Sequence, residues 1–222
     1  MSAILFGSIS TVADTSELQR AAFNRAFEAH GLSWNWDRDE YLSMLEGSGG
    51  RKRIADYAAA AGQSVDAAEV HATKSRMFQE SLATSGLTPR PGVVDTIHGA
   101  KGQGMKVALV TTTSPENVSA LIGALAPAVS STDFDVIVDA SSVERPKPDR
   151  AAYSLALERL GEQHGSCVAV EDNIDGVRAA TAAGVTCIAF PNENTAGHDF
   201  DAARLQVERL DFDELRKLIP SA

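Results

Sequence analysis

The sequence predicts an α/β protein, a doubly wound parallel sheet into which an all-helical segment is inserted, and three observations carry that expectation. The first is a short apolar run, Ala3 to Phe6, that ends at once in a small, hydroxyl-rich loop, Gly7-Ser8-Ile9-Ser10-Thr11. Open α/β sheets place their ligands on such loops, at the carboxyl edge of a central strand. The second is the stretch 16–87, where helix-spaced apolar positions follow one another with no strand-like run between them. The third is a switch after Pro91 to short apolar runs alternating with amphipathic helices, the pattern of strands buried on both faces.

At 222 residues the chain is long enough for one α/β core and a modest insertion. A hydrophobic content of 44% with 23% charged residues belongs to a globular protein and excludes disorder. A net charge of -10, with no long Lys/Arg run, argues against a nucleic-acid partner, because phosphate-backbone binding needs a basic surface. A local basic cluster can still hold a small anion. Cys167 and Cys187 lie in or beside apolar runs and have no metal-ligand spacing, so they read as buried, reduced thiols. No apolar stretch approaches the roughly 20 residues that span a bilayer, and the N-terminus shows no basic region followed by an apolar one. The expectation is a cytoplasmic protein with no membrane partner.

Taken in order, Thr15 or Asp14 can cap a helix from about Ser16 to Ala29, whose stripe is Leu18, Ala22, Phe23, Ala26 and Phe27 and which Gly31 stops. Asp37 with Glu40 three residues on predicts a capping box for a short helix to about Glu46, after which Gly47, Gly49 and Gly50 interrupt the chain. Helical patterns then run from Arg51 to Ala61 and from Ser64 to about Ala83, ended near Gly86. Residues 16–87 therefore read as a helical cap domain, and 1–15 with 88–222 as the α/β core.

Past the linker Pro89 to Gly92, a helix over Val93 to Lys101 leads to the strand Lys106 to Val110 and the loop Thr111-Thr112-Thr113-Ser114. Pro115 suits the first position of a helix to about Leu125. The strand Val136 to Val138, a loop carrying Lys147 and a helix from about Asp149 to Leu160 follow. The chain then repeats the alternation: a strand at Val168 to Val170, the pair Glu171-Asp172, a helix to Ala183, a stop at Gly184 and a strand over Val185 to Phe190.

Four features carry chemistry. Thr111 ends a strand just before a helix, where a hydroxyl and backbone N–H groups can hold a phosphate oxygen, although a threonine there also serves as a turn or cap residue. Lys147, flanked by Pro146 and Pro148, reads as a lysine held in place on its loop, although on its own it could equally be a solvated surface lysine. Adjacent carboxylates Glu171 and Asp172 at the end of a buried strand are costly unless they bind a cation or pair with a base, while Asp172 alone could cap the next helix. Gly49 and Gly50 beside Arg51 and Arg53 at a helix start make an anion site, or simply an exposed basic helix start.

The order of these features, with the loop at 6–11, Thr111, Lys147 and Glu171-Asp172, resembles the four motifs of the haloacid dehalogenase (HAD) superfamily, whose core is HAD-like and Rossmann-type. Within it the chain resembles the CbbY-like and β-phosphoglucomutase-like subgroup through Glu17-Leu18-Gln19-Arg20, Ala22-Phe23-Asn24, the run Gly31 to Asp37, and Gly49-Gly50-Arg51-Lys52-Arg53-Ile54. The resemblance implies a phosphorylated metabolite, a sugar phosphate, as partner, with Thr111 and Lys147 binding phosphate. It also implies that Glu17, Gly49, Gly50, Arg51 and Arg53 meet the substrate from the cap, and that Glu171 and Asp172 contribute to a Mg2+ site.

The first motif departs from the family's D-x-D-G-T: Gly7 stands at the nucleophile's position and Ile9 at the acid/base's. In the family the first aspartate attacks phosphorus and ligates Mg2+, and the second protonates the leaving group and then activates water. Gly7 can neither attack nor ligate, and Ile9 can transfer no proton. What the resemblance implies is therefore a sugar-phosphate hydrolase relative that keeps a phosphate pocket but lacks the standard aspartyl-phosphate phosphatase activity, with Mg2+ bound weakly or not at all. Two other readings stay open: a hydrolase whose nucleophile is Ser8, Ser10, Asp14 or a metal-bound water, and a scaffold for a protein partner. Further departures are Lys147-Pro148-Asp149-Arg150-Ala151, which lacks the family's second Pro-Asp pair, and Gln19, where the family often has histidine.

Overall fold

A computed structural model of the chain describes residues 2–45 and 49–219, so Glu46 and Gly47, at the expected end of the short helix, lie outside the described residues. Strands β1 (Ala3–Phe6), β2 (Lys106–Val110), β3 (Val136–Val138), β4 (Cys167–Glu171), β5 (Thr186–Ala189) and β6 (Leu205–Gln206) form one sheet in the order β3-β2-β1-β4-β5-β6. Every pairing is parallel, and β1 lies between β2 and β4. Because side chains alternate along a strand, Ile4, Phe6, Val107, Leu109 and Val170 pack on one face while Ala3, Leu5, Ala108, Val110 and Ala169 pack on the other. Burial on both faces is what the unbroken apolar runs foretold.

Helices α1 (Ile9–Val12), α2 (Ser16–Ala29), α3 (Arg38–Ser43), α4 (Gly50–Ala60) and α5 (Ala67–Leu82) follow β1 with no strand among the described residues between them. Helices α6 (Val93–Gly102), α7 (Pro115–Leu125), α8 (Ala151–Leu160), α9 (Ile174–Ala182) and α10 (Phe212–Lys217) complete the chain. Two starts differ from the sequence reading, each with an aspartate just ahead of the helix accepting from amides that follow it. Asp66 accepts from the Ala68 and Glu69 amides, so α5 begins after it rather than at Ser64. Asp149 accepts from the Ala151 amide and stays outside α8. Asn173, not Asp172, caps α9 by accepting from the Gly176 amide at 2.9 Å. Asp37 does accept from the Glu40 amide, but the Glu40 carboxylate turns to the Tyr57 hydroxyl at 2.9 Å. Helix α1, strand β6 and helix α10 had no clear signal in the sequence.

The helical segment carries its own aromatic core of Phe23, Phe27, Trp34, Trp36 and Tyr41, with Trp36 and Phe27 edge to face at 4.6 Å. Asn24 on α2 pins this core, donating to the Trp36 carbonyl and accepting from the Trp36 amide, both at 2.9 Å. Asn24→Ala is expected to lower stability by about 2 kcal/mol, since it removes two bonds to a partly buried backbone. A urea midpoint unchanged from the natural chain would show that water replaces the side chain there.

Candidate functional site

A cavity of about 580 Å3 lies between the carboxyl edge of the sheet and the helical segment. Ser8, Thr111, Lys147 and Asp172 line it from the sheet side, delivered by the ends of β1, β2 and β4 and by the loop before α8. Gly49, Gly50, Arg51, Arg53, His71 and Lys74 line it from the helical side. Gln79 on α5 donates to Asn117 on α7 at 2.9 Å, and Asn117 donates to Thr113, so a polar tie joins the two walls.

The arrangement at Gly7 is the main departure from the sequence expectation. Gly7 continues the ladder by donating to the Val170 carbonyl at 2.8 Å, and its missing side chain leaves a gap at the end of β1. The Glu171 carboxylate fills that gap: a Cβ built on Gly7 would overlap its Cδ and both oxygens, and so would a Cβ on Gly176. Glu171 is wholly buried and does not line the cavity, so the expectation of a metal ligand facing substrate is corrected here. Its Oε1 accepts from Lys147 Nζ at 2.5 Å and from the Tyr153 hydroxyl at 2.7 Å, while Oε2 has no partner among the described residues. Burial raises the Glu171 carboxyl above its ordinary range, and the Lys147 charge only partly pulls it back. Lys147 is held inward as well, donating to the Val110 carbonyl at 2.7 Å and to the Gly7 carbonyl.

Asp172 does face the cavity, but its oxygens are already engaged. Oδ1 accepts from the Ser8 hydroxyl at 2.6 Å, Thr11 at 3.2 Å and Asn173 at 3.1 Å, and Oδ2 from Asn192 at 3.4 Å. Magnesium asks for near-octahedral oxygen ligands at about 2.0–2.1 Å, usually with one or two carboxylates. With Glu171 turned into the Gly7 gap, no group of three or more His, Cys, Asp or Glu side chains is placed to hold a metal among the described residues. The donor set does not fit the Mg2+ site that the resemblance implies. Ile9, at the acid/base position, is buried in the core cluster with Val12, Ala22 and Phe78 and presents an apolar side chain where it lines the cavity.

On the helical side Gly49, with φ of 103°, precedes the N-terminus of α4 and places Arg51 and Arg53 at the cavity. Arg53 stacks over the Tyr41 ring at 5.6 Å and donates to the Met44 carbonyl at 3.0 Å. Glu17 does not line the cavity as the resemblance implies: exposed in the first turn of α2, it pairs with Arg20 at 2.8 Å and accepts from the buried Asn194 amide at 3.4 Å. Gln19, two residues on, does reach the cavity, donating to Thr15 at 3.2 Å and accepting from Lys74 Nζ at 3.1 Å. Lys74 and His71 were missed in the sequence. A signal existed for Lys74, which holds a place in the stripe Val70, Lys74, Phe78, Leu82 where only apolar residues belong.

A parallel sheet whose central strands end in a hydroxyl loop, a threonine and a pair of acids, with a lysine behind them and helices across the cavity, defines an α/β fold with its polar side chains gathered at the carboxyl edge of the sheet. The chain belongs to the haloacid dehalogenase-like hydrolase family, which matches residues 7–190. It is 39% identical over 204 residues to the CbbY protein of Cereibacter sphaeroides, covering 90% of this chain and 89% of that one. The CbbY protein of Rhodobacter capsulatus is 35% identical over 213 residues, 95% of this chain and 94% of its own. The crystal structure of CbbY from Rhodobacter sphaeroides in complex with phosphate superposes with a TM-score of 0.87 at 37% identity, covering 94% of each chain. A variant of that protein in complex with xylulose-(1,5)bisphosphate gives the same TM-score and identity.

Proposed function

We propose that this chain binds phosphorylated sugars in the CbbY-like cavity without turning them over by the aspartyl-phosphate route. The observation that supports it is the Glu171 carboxylate seated where the nucleophile's side chain would begin, in ion pair with Lys147. Removing members of a cooperating catalytic set costs on the order of 10^4- to 10^6-fold in rate. The same replacements favour occupancy. A carboxylate facing a phosphate charge at 4 Å opposes it by about 4 kcal/mol at an effective dielectric near 20, and Gly7 and Ile9 remove two such charges. In this reading Ser8 and Thr111 receive the phosphate from the sheet side, while Arg51 and Arg53 meet a second anionic group from above, such as the second phosphate of a bisphosphate like the one in complex with the CbbY variant. Residues 16–87 act as the cap over a core of 1–15 and 88–222, Mg2+ is bound weakly or not at all, and the protein works in the cytoplasm.

Titration calorimetry with inorganic phosphate and with xylulose-1,5-bisphosphate tests the reading. Both are expected to bind, Arg51→Met is expected to weaken the bisphosphate about tenfold, the worth of one charge-assisted contact, and no phosphate is released above background. One observation favours a second reading: Ser8 Oγ donates to Asp172 at 2.6 Å, the arrangement of a hydroxyl beside a base. Steady phosphate release that disappears in Ser8→Ala would establish that serine route and overturn the non-catalytic one.

A further inference from the structure

We propose that Lys74 is a carbonyl-reactive amine that captures the open-chain aldehyde or ketone of a phosphorylated sugar as an imine. The proposal rests on the reading of the cavity as a phosphosugar site and adds a covalent step to it. Lys74 is 4% exposed, yet it lines the cavity. Its Nζ lies between two phenyl rings, 4.7 Å from the Phe23 centroid and 4.9 Å from that of Phe78, and its hydrogen-bond partner is the neutral Gln19 amide at 3.1 Å. No carboxylate pairs with it among the described residues, whereas Arg53 from α4 and His71 one turn back on α5 share its side of the cavity. A lysine that is desolvated, set among cations and open to a cavity is a nucleophile rather than a counter-ion.

The electrostatics agree. Burial, reinforced by the Arg53 charge, pushes the Lys74 ammonium down to about 7, and burial with the charges of Lys74, Arg51 and Arg53 pushes His71 down to about 4, so the imidazole beside it is neutral. At neutral pH Lys74 therefore holds far more free amine than an exposed lysine of ordinary pKa, which is roughly one part in 2,500 unprotonated. In the reaction the Nζ lone pair adds to the carbonyl carbon as the C=O π pair moves to oxygen. The carbinolamine then expels water, which takes both nitrogen hydrogens, and leaves Lys–N=C. Nothing is oxidised or reduced. A phosphate on the same molecule, held by the arginines or by the sheet-side hydroxyls, keeps the carbonyl at Nζ.

The natural chain tests this without any variant that must fold. It is incubated at pH 7 with dihydroxyacetone phosphate and sodium cyanoborohydride, the hydride source that fixes an imine as a secondary amine, and the adducts are mapped by peptide mass. Lys74 is expected to label at least about tenfold faster than the exposed, ion-paired Lys52 and Lys217, and inorganic phosphate in excess is expected to slow Lys74 alone. Labelling of Lys74 no faster than of those two overturns the proposal. Calorimetry with inorganic phosphate separates the two readings: phosphate binding without fast Lys74 labelling sinks the imine and leaves the binding site standing. Fast labelling of Lys74 by phosphate-free glycolaldehyde, in a chain that binds no phosphate, supports the imine and removes the phosphosugar reading.

Discussion

Replacing Gly7 and Ile9 together by aspartate is expected to turn this protein into a Mg2+-dependent phosphatase, raising phosphate release from xylulose-1,5-bisphosphate by on the order of 10^4-fold or more over the natural chain. The natural chain differs from a working site in its charge placement as well as in the two missing groups. A side chain at position 7 must displace the Glu171 carboxylate, since its Cβ would fall on that carboxylate. Expelled from the gap, Glu171 is expected to turn toward Asp172 and the cavity. There, beside the carboxylate introduced by Gly7→Asp, it completes a donor set that Asp172 alone cannot provide.

The consequence is a linkage that does not depend on turnover. In the double variant Mg2+ is expected to raise the melting temperature, because the metal relieves three crowded carboxylates, while in the natural chain it should leave the melting temperature unchanged. Without Mg2+ the variant should be less stable than the natural chain, the Lys147–Glu171 pair having been broken at the same time. A double variant that folds, binds phosphate and yet neither gains activity nor responds to Mg2+ would show that Glu171 stays with Lys147, and that the inherited site is lost beyond these two positions.

Much of the fold was readable because it rests on local rules. Unbroken apolar runs over Ala3–Phe6 and Lys106–Val110, and proline at the start of α7, specify strands and a helix start whatever surrounds them. Helix starts were read within a few residues, and the misses at Ser64 and Asp149 have one cause: an acid inside the helical pattern caps the turn after itself. Strand β6, two exposed residues long, owes its place to pairing with β5 and has no periodicity of its own.

The site was legible as a set of residues and illegible as a set of directions. Sequence order brought Thr111, Lys147 and Asp172 to the edge of one sheet, and all three line the same cavity. Where Glu171 points depends on a vacancy at the end of a different strand, at Gly7, and on Gly176 and Tyr153 closing the space around it. No pattern local to the acid pair reports that. Glu17 failed for a related reason, since a first-turn residue of α2 two positions from Gln19 faces away from it on the helix. Lys74 does carry a local signal, because a charged residue in the middle of the apolar stripe Val70, Phe78 and Leu82 is costly unless it is used.

Lys147→Met is expected to destabilise the protein by about 3–5 kcal/mol at pH 8, and by much less at pH 5. The substitution keeps the length of the side chain and removes the charge that Glu171 faces, leaving a wholly buried carboxylate with the Tyr153 hydroxyl as its remaining hydrogen-bond donor among the described residues. The pH dependence follows from the direction of the Glu171 shift. Its carboxyl is raised by burial even with Lys147 present, so the folded state holds the proton more tightly than the unfolded chain does. Stability from this group is therefore lost as pH rises from the ordinary carboxyl value of 4.5 through the folded value, and regained as pH falls. Removing Lys147 takes away the influence that pulled the folded value down, which widens that window upward and concentrates the deficit at high pH. Adding Glu171→Gln to Lys147→Met should recover most of the loss at pH 8, because the amide can still accept from Tyr153 and carries no charge to desolvate. Urea titrations of the single and double variants at pH 5, 6.5 and 8 read all of this. A deficit that is equal at every pH and untouched by Glu171→Gln would place the role of Lys147 in its bonds to the Gly7 and Val110 carbonyls, with the ion pair contributing nothing.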